Sequence, residues 1–326
     1  MNYQFSIIVA CRNEISNLPT LLESIENQTF KPSEVIFVDD NSTDETYNFL
    51  LQYSKKNTSI KVIKNSNQGK KSALIQAAKI AQSEYLIFTD ADCILSKNYT
   101  YLAHQYISKN KPDMLLGAVN IIDEKGIFNI IEKIEFASLQ AVTAYSALIK
   151  NPIMCNGANL IVKRDLYIKY ISYINKNIAS GDDMFMLHSF KKNKKNIEYL
   201  YNNEYIIKTK GTNSLKKFIK QRTRWAAKSV NYKDITTIFV ALLVVFINFL
   251  LLISPFFILK NILPIFLIIF IIENIIILPY LIKYKQKRVL KYYPIIFPLM
   301  SILYPIYIIT ILISIIFYKK KQPHWK

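Results

Sequence analysis

Tyr85-Leu86-Ile87-Phe88-Thr89-Asp90-Ala91-Asp92, residues 85–92, carries the reading of the whole chain. Its first five residues are apolar or β-branched without alternation, the pattern of a short strand buried on both faces of a parallel sheet. Two acids follow at the strand's carboxyl end, the side of an open α/β sheet on which ligands bind. Standing two strand steps apart, Asp90 and Asp92 point the same way where the chain leaves the sheet.

Working outward, the same kind of strand recurs at 5–10, 34–38 and 60–63. Helix signals separate them. Asn17 and Pro19 give a helix start signal, and Leu18, Leu21, Leu22 and Ile25 recur at helical spacing. Ser42-Thr43-Asp44-Glu45 has the form of a capping box opening a helix to Lys55. Gly69 precedes a helix in which Leu74, Ala77, Ala78 and Ala81 share a face. Four strand-helix alternations predict an α/β fold, a mainly parallel sheet flanked by helices with right-handed crossovers. Beyond residue 100 the pattern predicts helices at 127–150, 184–192 and 214–230 and a strand at 160–163.

The 326 residues divide by composition. Residues 1–234 intersperse apolar with charged positions and suffice for one cytoplasmic α/β domain. Residues 235–326 form a transmembrane region: 235–258 carries no charge, and 262–282 and 294–317 are similar except for Glu273. Each exceeds or approaches the roughly 20 residues needed to cross hydrocarbon. Residues 1–4 lead into the first strand with neither a basic stretch nor a cleavage site, so the globular part is expected on the cytoplasmic side of the cytoplasmic membrane. Cys11, Cys93 and Cys155 lack the spacing of a zinc site or a disulfide framework. The net charge of +19 fits nucleic acid or an anionic membrane surface equally well.

Chemistry concentrates in five places. The hard oxygens of Asp90-Ala91-Asp92 suit Mg²⁺ or Mn²⁺, with a nucleotide diphosphate completing the metal's shell. Asp39-Asp40 end the second strand; a carboxylate accepts from the imide N–H of uracil, and aspartates at such a place also form turns. Lys70 starts a helix just after Gly69, where free amides and the positive helix end favour anions. Gly181-Asp182-Asp183 opens another helix, its glycine free to take positive φ. On a helix, Gln221, Arg224 and Trp225 of Gln221-Arg222-Thr223-Arg224-Trp225 share one face, offering an amide, a cation and an aromatic plane.

The order of these motifs, from Ser6-Ile7-Ile8-Val9-Ala10-Cys11-Arg12-Asn13-Glu14 through Val38-Asp39-Asp40-Asn41-Ser42-Thr43-Asp44, Asn67-Gln68-Gly69-Lys70 and Gly181-Asp182-Asp183 to Gln221–Trp225, resembles the family 2 glycosyltransferases. Among them it is most similar to the membrane-bound synthases with Q-x-x-R-W before membrane helices. The resemblance implies a glycosyltransferase A fold. It implies that Asp40 contacts uracil, Lys70 the donor, Asp90 the ribose or diphosphate, and Asp92 the metal. Asp183 is then the base that deprotonates the acceptor, with Asp182 beside it where many members carry Glu. Arg224 holds the pyrophosphate, and Trp225 with Gln221 forms the acceptor subsite. Asn156-Gly157-Ala158-Asn159 is similar to a glycine-containing segment near the acceptor.

The implied activity is inverting transfer from a UDP-sugar to a glycan or lipid-linked acceptor, in cell-surface polysaccharide or glycolipid synthesis, with membrane lipid around the anchor and export or synthase subunits as partners. The ordered acidic motifs argue against a nucleic-acid partner. The alternatives are a non-catalytic partner subunit of a polysaccharide synthesis or export complex and a glycoside hydrolase, which would leave Q-x-x-R-W unexplained.

Topology has two solutions. The basic segment 283–293 is inside if the catalytic part is, as the positive-inside rule favours, whereas the connection 259–261 holds one lysine. Three full spans place the basic tail 319–326 outside; a last segment broken at Pro294, Pro298 and Pro305 into a re-entrant hairpin returns it inside. Glu273, mid-span, is expected to meet a neighbouring helix.

Overall fold

The four strands expected before residue 100 sit side by side in one sheet. The computed structural model describes residues 4–173, 181–253 and 262–318. In chain order the first elements are β1 (Phe5–Cys11), α1 (Leu18–Glu26), β2 (Glu34–Asp39), α2 (Thr46–Ser54), β3 (Ile60–Lys64), α3 (Lys70–Ile80), β4 (Tyr85–Asp90), β5 (Ile94–Leu95), α4 (Tyr99–Asn110), β6 (Met114–Leu116) and β7 (Ala118–Ile121). Then come α5 (Ile127–Leu148), β8 (Leu160–Lys163), α6 (Arg164–Tyr170), α7 (Asp182–Lys192), β9 (Ile197–Tyr199), β10 (Ile206–Thr209) and α8 (Leu215–Ala226). The apolar helices are α9 (Ile235–Ile253), α10 (Ile262–Lys283) and α11 (Lys287–Ile316).

Seven strands run in the order β3-β2-β1-β4-β8-β6-β9. β1 pairs in parallel with β2 and β4, and β2 in parallel with β3. β8 lies antiparallel between β4 and β6, so the sheet is mainly, not wholly, parallel. Every residue of β1 and β2 is buried, and all of β4 except Asp90, which fits strands covered by helices on both faces. A second sheet, β5-β10-β7, follows the Asp90–Asp92 turn; Leu95 pairs with Ile207 and Ile94 with Lys208. That pairing pins the far side of the turn.

Two local expectations change. The capping box does not form: the Ser42 hydroxyl accepts from the Asn13 amide at 3.0 Å, and α2 begins only at Thr46, whose amide is accepted by Asp44 at 3.0 Å. Asn41, at φ 56°, turns the chain so that 42–44 reach back to the loop after β1. The helix expected at 214–230 ends at Ala226, followed by a short 3₁₀ turn at Ser229–Asn231.

Contacts divide the described residues into two compact units, one within Met1–Asn120 and Ser146–Lys210, the other within Ile121–Tyr145 and Gly211–Lys320. The first holds both sheets. In the second, α11 packs against α8, α9 and α10. Three of its helices are long and apolar enough to cross a membrane: Ile235–Ile253, Phe266–Lys283 and Lys287–Ile316. Residues 254–258 of the first expected span, the connection 259–261 and the tail 319–326 lie outside the described residues.

The re-entrant alternative is corrected, because α11 is one 30-residue helix that contains Pro294, Pro298 and Pro305. Each proline removes one backbone donor, a loss a long apolar helix absorbs without reversing. Glu273 meets a helix as expected, accepting from the Ser301 hydroxyl of α11 at 3.1 Å.

One buried acid braces the sheet's amino-terminal edge. Glu34, 5% exposed, accepts from the Ser6 hydroxyl and the Gln82 amide, both at 2.6 Å, and from Lys61 Nζ at 2.7 Å. Burial alone raises its pKa, but these bonds from Lys61, Ser6 and Gln82 outweigh it and hold the carboxyl below its ordinary 4.5. A depressed carboxylate stabilises above its unfolded pKa and loses that contribution as pH falls through the folded one. Glu34→Gln is therefore expected to cost about 1–3 kcal/mol at neutral pH, since Lys61 is partly exposed. Thermal melts should show the gap to wild type narrowing as the pH falls below 4.5.

Candidate functional site

The first unit brings the acids at the strand ends together with those opening α7. Asp90 closes β4, and Asp92 stands two residues on, half-buried in the turn toward β5. Lys70, first residue of α3, forms an ion pair with Asp90 Oδ1. Burial alone would lower the Lys70 pKa; the negative field of Asp90, Asp182 and Asp183 overrides it and pushes the pKa up. Four sequence-predicted residues from three distant segments thus share one electrostatic centre. Lys70 reaches it because Gly69 takes φ 101°, which turns the loop sharply into the helix.

Asp92 carries the largest mark of that crowding. Burial and the neighbouring Asp90 carboxylate push its carboxyl up to about 6, against the pull of Lys70 and Lys210. Two carboxylates in reach of each other, one held back from ionising, form a donor set that a divalent cation would relieve. Among the described residues no group of three or more His, Cys, Asp or Glu side chains could hold a metal unaided. An ion such as Mg²⁺ takes one or two protein carboxylates and completes its shell with phosphate oxygens and water. Lys210, whose Nζ donates to Asn17 Oδ1 at 2.6 Å, was not singled out by the sequence.

Asp183 is held from both sides. Its Oδ1 accepts from the amide of Met184 at 2.8 Å and its Oδ2 from the amide of Gly157 at 3.0 Å. Asp182 and Asp183 form the first turn of α7, where the helix dipole favours negative charge, and Gly181 before them takes φ 92°. A β-carbon on Gly157 would sit 3.4 Å from the Asp183 carboxylate, so the main chain packs closely against it. The Asn156–Asn159 segment is anchored in turn: Asn159 donates to the Ala118 carbonyl at 2.7 Å and accepts from Tyr99 at 2.8 Å, and Tyr99 stacks on Tyr205 of the strand-end region. The glycine in that segment was its only sequence signal.

At the end of β2 the two aspartates differ. Asp40 is fully buried, its carboxylate accepting from the Gly69 amide at 2.9 and 3.1 Å and from Asn65 at 2.7 Å. It braces the loop that delivers Lys70. Asp39 accepts from the Ser42 amide at 3.2 Å through Oδ2, while its buried Oδ1 has no hydrogen-bond partner among the described residues. A buried carboxylate oxygen left unpaired is costly. The sequence left base contact and turn formation open for both aspartates, and the resemblance pointed to Asp40.

Gln221, Arg224 and Trp225 lie on α8, in the second unit, together with the buried Arg222. Arg222 binds Glu135 of α5 through Nε at 2.8 Å and Nη2 at 2.5 Å, and its Nη1 donates to Gln221 Oε1. Its guanidinium lies 4.3 Å from the Trp225 ring centre and 4.5 Å from that of Phe218.

Comparison with known proteins places the chain. A relative from Bacillus spizizenii, named poly(ribitol-phosphate) beta-glucosyltransferase, is 27% identical over 213 residues, covering 64% of this chain and 33% of the relative. Poly-beta-1,6-N-acetyl-D-glucosamine synthase of Staphylococcus aureus is 32% identical over 139 residues, 41% of this chain and 33% of the synthase. The chain thus spans about a third of the length of these curated relatives. Among solved structures, S. aureus TarS 1-349 in complex with UDP superposes with a TM-score of 0.52 at 22% identity, over 71% of this chain and 67% of that one. The mannosyltransferase PcManGT from Pyrobaculum calidifontis, in complex with GDP-Man and Mn²⁺, superposes with a TM-score of 0.59 at 14% identity, over 98% and 88%. These two likenesses show a shared glycosyltransferase A fold. The sequence model described as Glycosyl transferase family 2 matches residues 6–171, which run from β1 through α6 and include the Asp90–Asp92 pair. Matched over just over half its length, this chain belongs to glycosyl transferase family 2.

Proposed function

We propose that the chain is a membrane-bound inverting glycosyltransferase that moves a sugar from a UDP-sugar to a glycan or lipid-linked acceptor in cell-surface polysaccharide or glycolipid synthesis. Residues 1–234 form its cytoplasmic catalytic part and residues 235–326 its membrane anchor. The observation that carries this reading is the pairing of Lys70 with Asp90 in the field of an Asp183 carboxylate that two backbone amides hold in place. Family membership supports it, as do the curated relatives' names and the UDP and UDP-GlcNAc complexes of TarS.

The residues divide the work as follows. Asp40, expected at the uracil, spends its carboxylate on the Gly69 amide and Asn65, so its part in donor binding is to hold that loop, and the uracil imide is assigned instead to the neighbouring Asp39, whose Oδ1 has no partner among the described residues. Asp90 takes the ribose or diphosphate, with Lys70 beside it. Asp92 holds the divalent ion, which when bound supplies Lewis-acid charge to the diphosphate. Asp183 accepts the proton of the acceptor hydroxyl as that oxygen bonds to the anomeric carbon from the face opposite the diphosphate. The bond from the anomeric carbon to the diphosphate oxygen breaks, and UDP leaves with both electrons, its charge met by Arg224. Acceptor binding is the role proposed for Asp182 and, by the resemblance, for Gln221 and Trp225, the indole offering a stacking plane for a sugar. Single displacement inverts the anomeric centre.

Full-length protein in detergent, given a panel of UDP-sugars and GDP-mannose with Mg²⁺, Mn²⁺ or chelator, tests the reading. Nucleotide release is expected from at least one UDP-sugar, and chelator should abolish it. Turnover of GDP-mannose alone, or none with any donor despite UDP binding, would overturn the donor assignment.

A further inference from the structure

Arg222 is the one charged residue of Gln221–Trp225 to which the proposed chemistry gives no role, and it is the most buried charge of the motif at 4% exposure. Its guanidinium spends two edges on Glu135 and a third on the Gln221 side-chain carbonyl, and lies within cation–π distance of Trp225. Glu135 is itself 5% exposed and accepts a further bond from the Tyr307 hydroxyl of α11 at 3.1 Å. Phe136, next to Glu135 on α5, packs its ring 6.2 Å from that of Trp225. One cation thus ties together the amide, the indole, α5 and the last apolar helix.

If Arg222 served only to attach α8 to α5, an apolar pair would do as well, because desolvating an ion pair offsets much of what the pair gains. What an apolar pair lacks is direction. With its carbonyl committed to Arg222, the Gln221 amide is fixed as to which end accepts, leaving its NH₂ as the end that donates. With the planar guanidinium 4.3 Å from its ring centre and the Phe136 ring 6.2 Å away, the Trp225 indole has flat neighbours to pack against. Lysine would keep the charge but neither the fork nor the flat face.

We infer that Arg222 is a positioning residue: anchored by Glu135 and Tyr307, it sets the Gln221 amide and the Trp225 indole in the orientation that receives a sugar acceptor, so that α11 bears on acceptor binding. This rests on the glycosyltransferase reading for the acceptor, but the geometry of Trp225 can be tested without it.

The chain has two tryptophans, Trp225 and Trp325, so Trp325→Phe leaves Trp225 as the sole indole reporter. In that background, full-length protein in detergent is compared with its Arg222→Lys, Arg222→Met, Glu135→Gln and Tyr307→Phe variants. Arg222→Lys and Arg222→Met are expected to increase acrylamide quenching of Trp225 and shift its emission, with Tyr307→Phe giving a smaller change of the same sign. Once an active donor and acceptor pair is known, Arg222→Lys should raise the acceptor KM about ten- to a hundredfold and move the donor KM far less, the cost of misplacing a binding group.

Unchanged Trp225 quenching and emission in folded Arg222 variants overturns the inference. So do equal losses in donor and acceptor parameters, which mark a merely structural role. If the Arg222 variants fail to fold, Tyr307→Phe decides alone: a changed indole signal supports the inference, and an unchanged one removes it. If wild type turns over no donor, the proposed function fails while the fluorescence result still stands.

Discussion

Asp183→Asn is expected to lower kcat for sugar transfer by about 10²–10⁴-fold, the range a positioned general base supplies, while UDP still binds. The side chain keeps its size, so the loss would be chemical. One local cost has to be separated from it. Asp183 accepts from two amides, those of Met184 and Gly157, and an asparagine offers an oxygen to only one of them while turning its NH₂ against the other. That local mismatch costs about 1–3 kcal/mol, so the variant's melting temperature must be measured beside its kcat. A folded variant that binds UDP and transfers sugar at the wild-type rate would remove Asp183 as the base and leave Asp182 to be tested next.

Asp92→Asn is the second large effect: metal-dependent UDP release should fall by about a hundredfold or more, as expected when a hard ligand is lost from a site with few protein donors. The wild type should show the same carboxyl through pH. Burial and Asp90 raise its folded pKa from 3.8 to about 6. A raised acid means the folded state binds the extra proton between those values, so the metal-free protein loses stability as pH rises through that interval. A divalent ion needs the carboxylate, so its affinity should drop about tenfold per unit below pH 6, the proton competing for the same oxygen. Melts with Mn²⁺ and with chelator at pH 5 and pH 7 measure both effects. Equal stabilisation by Mn²⁺ at the two pH values, or unaltered metal dependence in Asp92→Asn, would take the metal away from Asp92.

Much of this site was legible because its parts end regular elements. A buried strand announces itself by an unbroken apolar run, and the acids that close β2 and β4 follow directly. Gly69 and Gly181 stand where the backbone takes positive φ, so their place before α3 and α7 was readable too. Length and composition alone marked the three apolar helices.

What the sequence determined, then, was the alternation of strands and helices, the family-like order of motifs, and the acidic carboxyl edge, because each depends on residues near one another in the chain. Only the tertiary structure decided which carboxylate oxygens are engaged. It paired Asp183 with Gly157, 26 positions away, gave Asp40 to Gly69, left one Asp39 oxygen unpaired among the described residues, and joined Arg222 to Glu135 across 87 positions. It also carried α11 straight through three prolines. Buried polar groups must find partners, and those partners arrive from segments whose distance in the chain no local period records.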